Sequence, residues 1–152
     1  MKRTSLEGEQ CAVARSLDIL GDWWTLLIVR DALGGLRRFG EFQRSLGAAK
    51  NILTTRLKTL VAQGILETAP ASDGSAYQEY LLTQKGRDLV PVLIALGQWS
   101  SDHVFKPGEV ALVPLDAANM QPLKPLLIQA GDGRLLSPSE VHFNSGLGPP
   151  AE

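Results

Sequence analysis

Two helix-like patterns separated by one glycine and followed by a hairpin pattern occupy residues 37–82, and this order restricts the fold more than any other feature of the chain. Phe39, Phe42 and Leu46 fall at i, i+3 and i+7, which predicts a short amphipathic helix with Arg38, Glu41 and Arg44 turned outward. Gly47 makes the turn. A second helix is expected over about residues 49–63, burying Leu53, Leu57, Leu60 and Val61 and stopping at Gly64. Its opposite face then presents Lys50, Asn51, Thr54, Thr55 and Lys58. A strand begins at residues 65–68, the run Ala71-Ser72-Asp73-Gly74-Ser75 has turn chemistry, and residues 77–82 return as the second strand.

The flanks are also patterned. Val13, Leu17 and Leu20 lie at helical spacing, and Gly21 ends that pattern. Asp22 can cap a helix over residues 23–33 whose apolar positions are Trp24, Leu27, Ile28 and Val29. Thr83 can cap a long helix reaching about Val104, in which Pro91, having no amide hydrogen, predicts a bend or an irregular first part. After Lys106-Pro107-Gly108 the texture changes. Short strands are expected at residues 109–115, 125–130, 134–136 and 140–143, with Gly131-Asp132-Gly133 as a hairpin turn and residues 147–150 as a loose tail.

Charge is unevenly placed. The chain carries −1 overall, which alone argues against a nucleic-acid binder. Residues 36–62, however, hold Arg37, Arg38, Arg44, Lys50, Arg56 and Lys58 against the single acid Glu41. Residues 107–152 reverse the sign, with Lys124 and Arg134 against Glu109, Asp116, Asp132, Glu140 and Glu152. One basic face on a neutral-to-acidic body is the footprint of a site-specific DNA binder, whereas a solvated helix face would carry Glu and Lys pairs. Helix, turn, helix and hairpin in this order are the layout of a winged helix-turn-helix, which places one helix in a DNA major groove. The fold class expected is therefore mainly α with a small β-hairpin wing and a β-rich C-terminal extension.

The order and spacing of several segments also carry a resemblance. LDILGDWWTLLIVRDAL followed by RRFGEFQRSL, then NILTTRLKTLVAQGIL and EYLLTQKGRDLVPVLIALGQW, resemble the HxlR-type branch of winged helix-turn-helix transcription regulators over roughly residues 11–104. The resemblance implies a homodimer that binds double-stranded DNA at an operator and controls transcription, with no enzymatic step and no cofactor. It divides the chain into a DNA-binding domain over residues 11–106 and an extension over residues 107–152. By position, the helix of residues 49–63 would read the major groove, anchored by Leu53 and Leu57. Arg37, Arg38, Arg44, Lys50 and Lys58 would meet phosphates, and Asn51, Thr54 and Thr55 would face base edges. Val13 and Leu17 on the first helix, with Leu89, Leu93, Leu96 and Trp99 on the long one, would bury apolar surface across a two-fold axis. The chain departs from the family at Ala49, where a capping Ser is usual, so that cap is either missing or moved to Gly47. It departs again in the wing, residues 70–78, which contains Asp73 and no Lys or Arg. Arg56, at i+3 from Leu53, falls at the edge of the core face, where it can pair with an acidic neighbour.

Other residues have two readings each. Cys11 opens the first helix, and some relatives use a cysteine near this place to sense electrophiles or oxidants; Arg15 at i+4 would favour the thiolate. Its other reading is a small buried residue of the dimer interface, since free cysteines are commonly buried. Trp23 and Trp24 could wall a small-molecule effector pocket beside Trp99, but core packing is the commoner role of such residues. His103 and His142 are too isolated for metal or catalysis, and no nucleophile–base pair is present. Residues 1–11 lack the apolar run of a signal peptide and no segment approaches the roughly 18–20 apolar residues needed to span a bilayer, so a cytoplasmic location is expected. The rival to a DNA-binding regulator is a protein–protein interaction module on the same scaffold.

Overall fold

The structure is a computed structural model and describes residues 4–143. Among the described residues, six α-helices and four strands follow the order α1 (Ala12–Leu20), α2 (Trp23–Leu33), α3 (Phe39–Leu46), α4 (Lys50–Ala62), β1 (Leu66–Pro70), β2 (Gln78–Leu82), α5 (Gln84–Arg87), α6 (Val90–His103), β3 (Ile128–Gln129) and β4 (Leu135–Leu136). The residues cluster into two compact units that meet in sequence between Val90 and Pro91, so that packing groups α6 with the extension.

In the first unit the core is built by α2, α3, α4 and the β1–β2 hairpin. Ile28, Val29, Phe42, Leu53, Leu57, Leu60, Ile65 and Leu66 are almost wholly buried there. Each helix contributes a stripe at helical spacing, which is why the periodicity locates them. Asp22 caps α2 as the sequence predicts: its carboxylate accepts from the Thr25 amide at 3.0 Å and from the Thr25 hydroxyl at 2.6 Å. Gly47 ends α3 with φ +63°, and its amide donates to the Gln43 carbonyl. This left-handed residue makes the tight α3–α4 turn. The cap of α4 is missing rather than moved, because Ala49 supplies no side-chain acceptor and Gly47 serves α3.

The hairpin is antiparallel, pairing Leu66 with Leu82 and Pro70 with Gln78. Beyond it, Thr83 ties three elements together. Its hydroxyl accepts from the Gly86 amide at 3.1 Å at the start of α5 and donates to the Gly64 and Ile65 carbonyls, in the link between α4 and β1. Gly86 packs so closely that a Cβ there would collide with the Ile65 carbonyl oxygen and lie 2.8 Å from the Leu82 Cδ2.

The long helix expected from Thr83 to Val104 is two helices. Thr83 does cap the first, α5, but Asp88 and Leu89 interrupt before α6 begins at Val90. Pro91 supplies the reason: it sits in the first turn of α6, where its missing amide costs nothing, and no helix can run through it from α5 without losing a hydrogen bond.

Around α6, the extension contains less β structure than its apolar texture predicts. Of the four strands expected, residues 125–130 yield only β3 and residues 134–136 only β4, paired across Gly131-Asp132-Gly133. Residues 109–115 form no strand beyond one isolated bridge from Leu115 to Pro122, and the expectation at residues 140–143 is replaced by a 3₁₀ turn at Pro138–Glu140. The physical cause is proline. Pro107, Pro114, Pro122, Pro125 and Pro138 remove amide donors at intervals too short for a ladder to form. Gln98 of α6 anchors this segment instead, its side-chain amide donating to the Lys124 carbonyl at 3.0 Å and accepting from the Leu126 amide at 2.8 Å. The loose tail expected at residues 147–150 lies outside the described residues. Among those residues, no helix is long and apolar enough to cross a membrane.

Core packing does not hold for Trp23, which is 74% exposed and meets Trp24 edge-on at 5.5 Å between centroids. It occupies the face of α2 opposite Thr25, Ile28 and Val29, the residues that face the core.

Candidate nucleic-acid interface

The geometry of α4 sorts its side chains into two faces. Leu53, Leu57 and Leu60 are each about 1% exposed, while Lys50, Asn51, Thr55, Lys58 and Thr59 are exposed and Thr54 is half-buried. Among the described residues, Lys50 and Lys58 make no ion pair, so both ammonium groups are free for an anion. The threonine hydroxyls donate back to the helix, Thr54 to the Lys50 carbonyl at 2.7 Å and Thr55 to the Asn51 carbonyl at 2.9 Å. Their protons are thereby used, and what each hydroxyl offers outward is lone pairs and a methyl group. The Asn51 Oδ1 accepts from the Ile52 amide at 3.0 Å, which leaves its amide NH₂ as an outward donor. The helix therefore presents donors in its first turn and acceptors in its second.

Ile52 was not anticipated. It is 39% exposed beside Asn51, on the polar face. An apolar residue one position from a core Leu reads as core in a sequence; only its offset from the Leu53–Leu57–Leu60 stripe distinguishes it. Thr59 continues the same back-bonding series, with its hydroxyl donating to the Thr55 carbonyl at 3.0 Å.

Arg56 lies at the edge of the buried face and stands 3.4 Å from the Asp22 carboxylate, which is the acidic partner its position suggested. This ion pair joins the middle of α4 to the N-terminus of α2.

The three arginines at α3 differ from one another. Glu41, three residues into the helix, accepts from the amides of Arg38 at 3.0 Å and Arg37 at 3.3 Å, closing the helix start. The Arg37 carbonyl accepts from the Tyr80 amide at 2.7 Å, which fastens this segment to the outer edge of β2. Arg38 is engaged by the wing: its Nη2 is 2.6 Å from the Asp73 Oδ2 and 3.8 Å from Glu79, and its guanidinium stands over the Tyr77 ring at 5.6 Å. Arg37 stands 3.7 Å from Glu79 and is otherwise open to solvent. Arg44 is exposed and, among the described residues, has no ion-pair partner.

Glu79 is a buried carboxylate, 4% exposed. The Ser72 amide and hydroxyl donate to it at 3.0 and 2.9 Å, and these bonds, together with the two arginines, hold its pKa below the usual carboxylate range. The Asp73 carboxyl is held well below its ordinary value, first by the Ser75 amide and then by Arg38. Asp73 is the acid that the sequence places in the wing, whereas nothing in the sequence position of Glu79 marks it as a partner of the arginines. The absence of cations from residues 70–78 was the available signal.

Of the residues expected at a dimer interface, four are exposed and two half-buried in the chain. Val13 and Leu17 on α1 are 58% and 49% exposed, and Leu96 and Trp99 on α6 are 50% and 62% exposed. Leu89 and Leu93 are half-buried. Cys11 is exposed at the N-cap of α1, while the Arg15 Nε donates to the Glu9 carbonyl at 2.5 Å rather than turning to the thiol.

Comparison with known proteins places this geometry. The chain is 42% identical over 101 residues to the uncharacterized HTH-type transcriptional regulator Rv3095 of Mycobacterium tuberculosis, a match covering 66% of this chain and 63% of that protein. The chain thus spans less than two thirds of the length of that relative. Among solved structures, the candidate transcription factor PA1607 is 48% identical with a TM-score of 0.86, covering 93% of this chain and 99% of that one. The reduced form of the redox regulator HypR is 28% identical with a TM-score of 0.57, covering 62% of this chain and 94% of that one. The HxlR-like helix-turn-helix family profile matches residues 19–107, from the end of α1 to just beyond α6. The chain belongs to the HxlR-like helix-turn-helix family.

Proposed function

We propose that this protein is a sequence-specific DNA-binding transcription regulator, a repressor, acting as a homodimer on a near-palindromic operator. The observation that carries the reading is α4 itself, whose polar face of Lys50, Asn51, Thr54, Thr55 and Lys58 backs onto the buried Leu53–Leu57–Leu60 stripe. Lys50, Lys58, Arg44 and Arg37 supply phosphate contacts, and Asn51, Thr54 and Thr55 face base edges. The exposed apolar residues of α1 and α6 bury each other across a two-fold axis, which sets the two α4 helices about 34–36 Å apart, one turn of B-DNA. The names of the relatives support regulation of transcription.

A second reading, a protein-docking module, is favoured by one observation: the wing is acidic and neutralises Arg38. An effector reading, thiol sensing, attaches to Cys11; its exposure and the chain's likeness in fold to the redox regulator HypR support it. Unchanged DNA release by diamide or quinones in Cys11→Ser would remove it.

The deciding experiment is a binding titration on random-sequence and self-promoter DNA at two salt concentrations. Salt-sensitive binding with a strong preference for a palindromic promoter site is the expected result. A folded dimer that binds neither DNA would replace this reading with the docking module.

A further inference from the structure

The Arg38–Asp73–Glu79 cluster sits where the proposed interface meets the wing, and its charges do not suit simple phosphate binding. Here Arg38 is 30% exposed in its side chain, braced by Tyr77, and already holds an anion at 2.6 Å. That anion belongs to a loop, since Asp73 stands beside Gly74 (φ +75°) at the hairpin tip and is 55% exposed in its side chain. Glu79 lies behind both arginines at 3.7 and 3.8 Å and is held in place by Ser72. The cluster thus has a fixed inner carboxylate, an outer carboxylate open to solvent, and a guanidinium between them.

We propose that Asp73 is a specificity-determining residue: an internal counter-ion that occupies Arg38 in place of a backbone phosphate until a matched site displaces it. This inference rests on the DNA-binding reading above. Loose, sequence-independent complexes depend almost wholly on phosphate contacts. In such complexes Asp73 stays on Arg38 and so removes one cation from the interface. A matched operator engages α4 at base edges, brings the backbone against α3, and exchanges the carboxylate for a phosphate. Discrimination arises because the carboxylate opposes every sequence while only the correct one has base contacts to set against it.

Asp73→Asn tests this in the full-length protein. Asparagine keeps an oxygen for the Ser75 amide but turns an NH2 toward Arg38, so the change removes both the charge and the acceptor that hold the guanidinium. Affinity for random-sequence DNA is expected to rise about three- to tenfold at low salt, with the log–log salt slope steeper by about 0.9 per protomer. Affinity for the preferred site should rise less, so the specificity ratio falls. In an Arg38→Ala background the same change should have little effect, and Glu67→Gln, which removes an equal charge from exposed β1, should not reproduce it. An unchanged or weakened affinity for random DNA in Asp73→Asn, with the circular dichroism and melting temperature of the parent, overturns the proposal. So does an equal gain in the Arg38→Ala background or in Glu67→Gln, since either would reduce the effect to net charge. If the folded parent binds no DNA at either salt concentration, the DNA-binding reading itself has failed, which the parent titration reveals before any variant is made.

Discussion

Gly86→Ala sets two known effects against each other, and the structure decides between them. Gly86 lies in α5, where alanine is favoured over glycine by about 0.8–1.0 kcal/mol in helix propensity and by lost freedom of the unfolded chain. Its φ is not in the left-handed region, so no conformational penalty offsets that gain. Space is the opposing term. The new Cβ would overlap the Ile65 carbonyl oxygen and come within 2.8 Å of the Leu82 Cδ2, and the first of these is backbone that cannot rotate aside. Overpacking of this kind costs about 1–3 kcal/mol. Relief would require α5 to move off the hairpin, and that movement would also lengthen the bond from the Gly86 amide to the Thr83 hydroxyl. The steric term wins, because overlap with backbone puts it in the upper part of that range, and the net expectation is destabilisation by about 1–2 kcal/mol. Urea denaturation at one fixed protein concentration measures it as a lower midpoint at unchanged slope. A midpoint equal to or above that of the parent would show that α5 does not pack against Ile65 as described.

Three further outcomes are expected. Lys58→Ala should weaken binding nearly uniformly across sequences and reduce the salt slope by about 0.9 per protomer, read from titrations at several ionic strengths; unchanged salt dependence would take Lys58 off the phosphate contacts. Thr83→Val keeps the shape but loses both the acceptor for Gly86 and the donor to the carbonyls of Gly64 and Ile65, so stability should fall by about 1–2 kcal/mol, measured by the same urea midpoint, and an unaltered midpoint would mean water replaces those bonds without loss. Glu79 and Asp73 both titrate lower in the folded chain than in the unfolded one, so the unfolded chain binds more protons and stability rises with pH. Their contribution is complete above the ordinary carboxylate value of 4.5 for Glu79 and is lost as pH falls toward the depressed values; Glu79→Gln should flatten the decline in urea midpoint between about pH 5 and pH 3, and an identical decline would exclude Glu79 as its source.

The parts of the fold that a reader of the sequence can find are those governed by local rules. Phe39, Phe42 and Leu46 mark α3 because one helix face must be apolar, and Gly47 marks its end because few other residues accept a left-handed φ. Asp22 and Thr83 reveal caps for the same local reason. Legibility fails where an outcome depends on partners distant in sequence. The apolar run of residues 109–115 looks like a strand, but a strand exists only against another, and the prolines leave none to pair with it. Among the interface residues, the polar face of α4 follows from its buried face alone. The engagement of Arg38 does not, since Asp73 is 35 positions away and reaches it only once the hairpin has folded back along α3. Trp23 is a third kind of case: a large aromatic residue suggests a core by its type, but its angular position on α2 assigns it to the opposite face.

The Gln98 side chain has the chemical outline of one peptide unit, a carbonyl and an N–H on a planar carbon. By bonding the Lys124 carbonyl and the Leu126 amide it serves as a single rung of a ladder whose other upright is α6. A helix cannot ordinarily offer such a rung, because its own backbone groups are spent within it. The alignment of the proline-rich segment against α6 is thus pinned at one residue, much as a dovetail fixes a panel at one joint. Glutamate at this position would keep the acceptor for Leu126 but turn a second oxygen toward the Lys124 carbonyl, so a change of one atom would break the rung without removing any apolar surface from the segment.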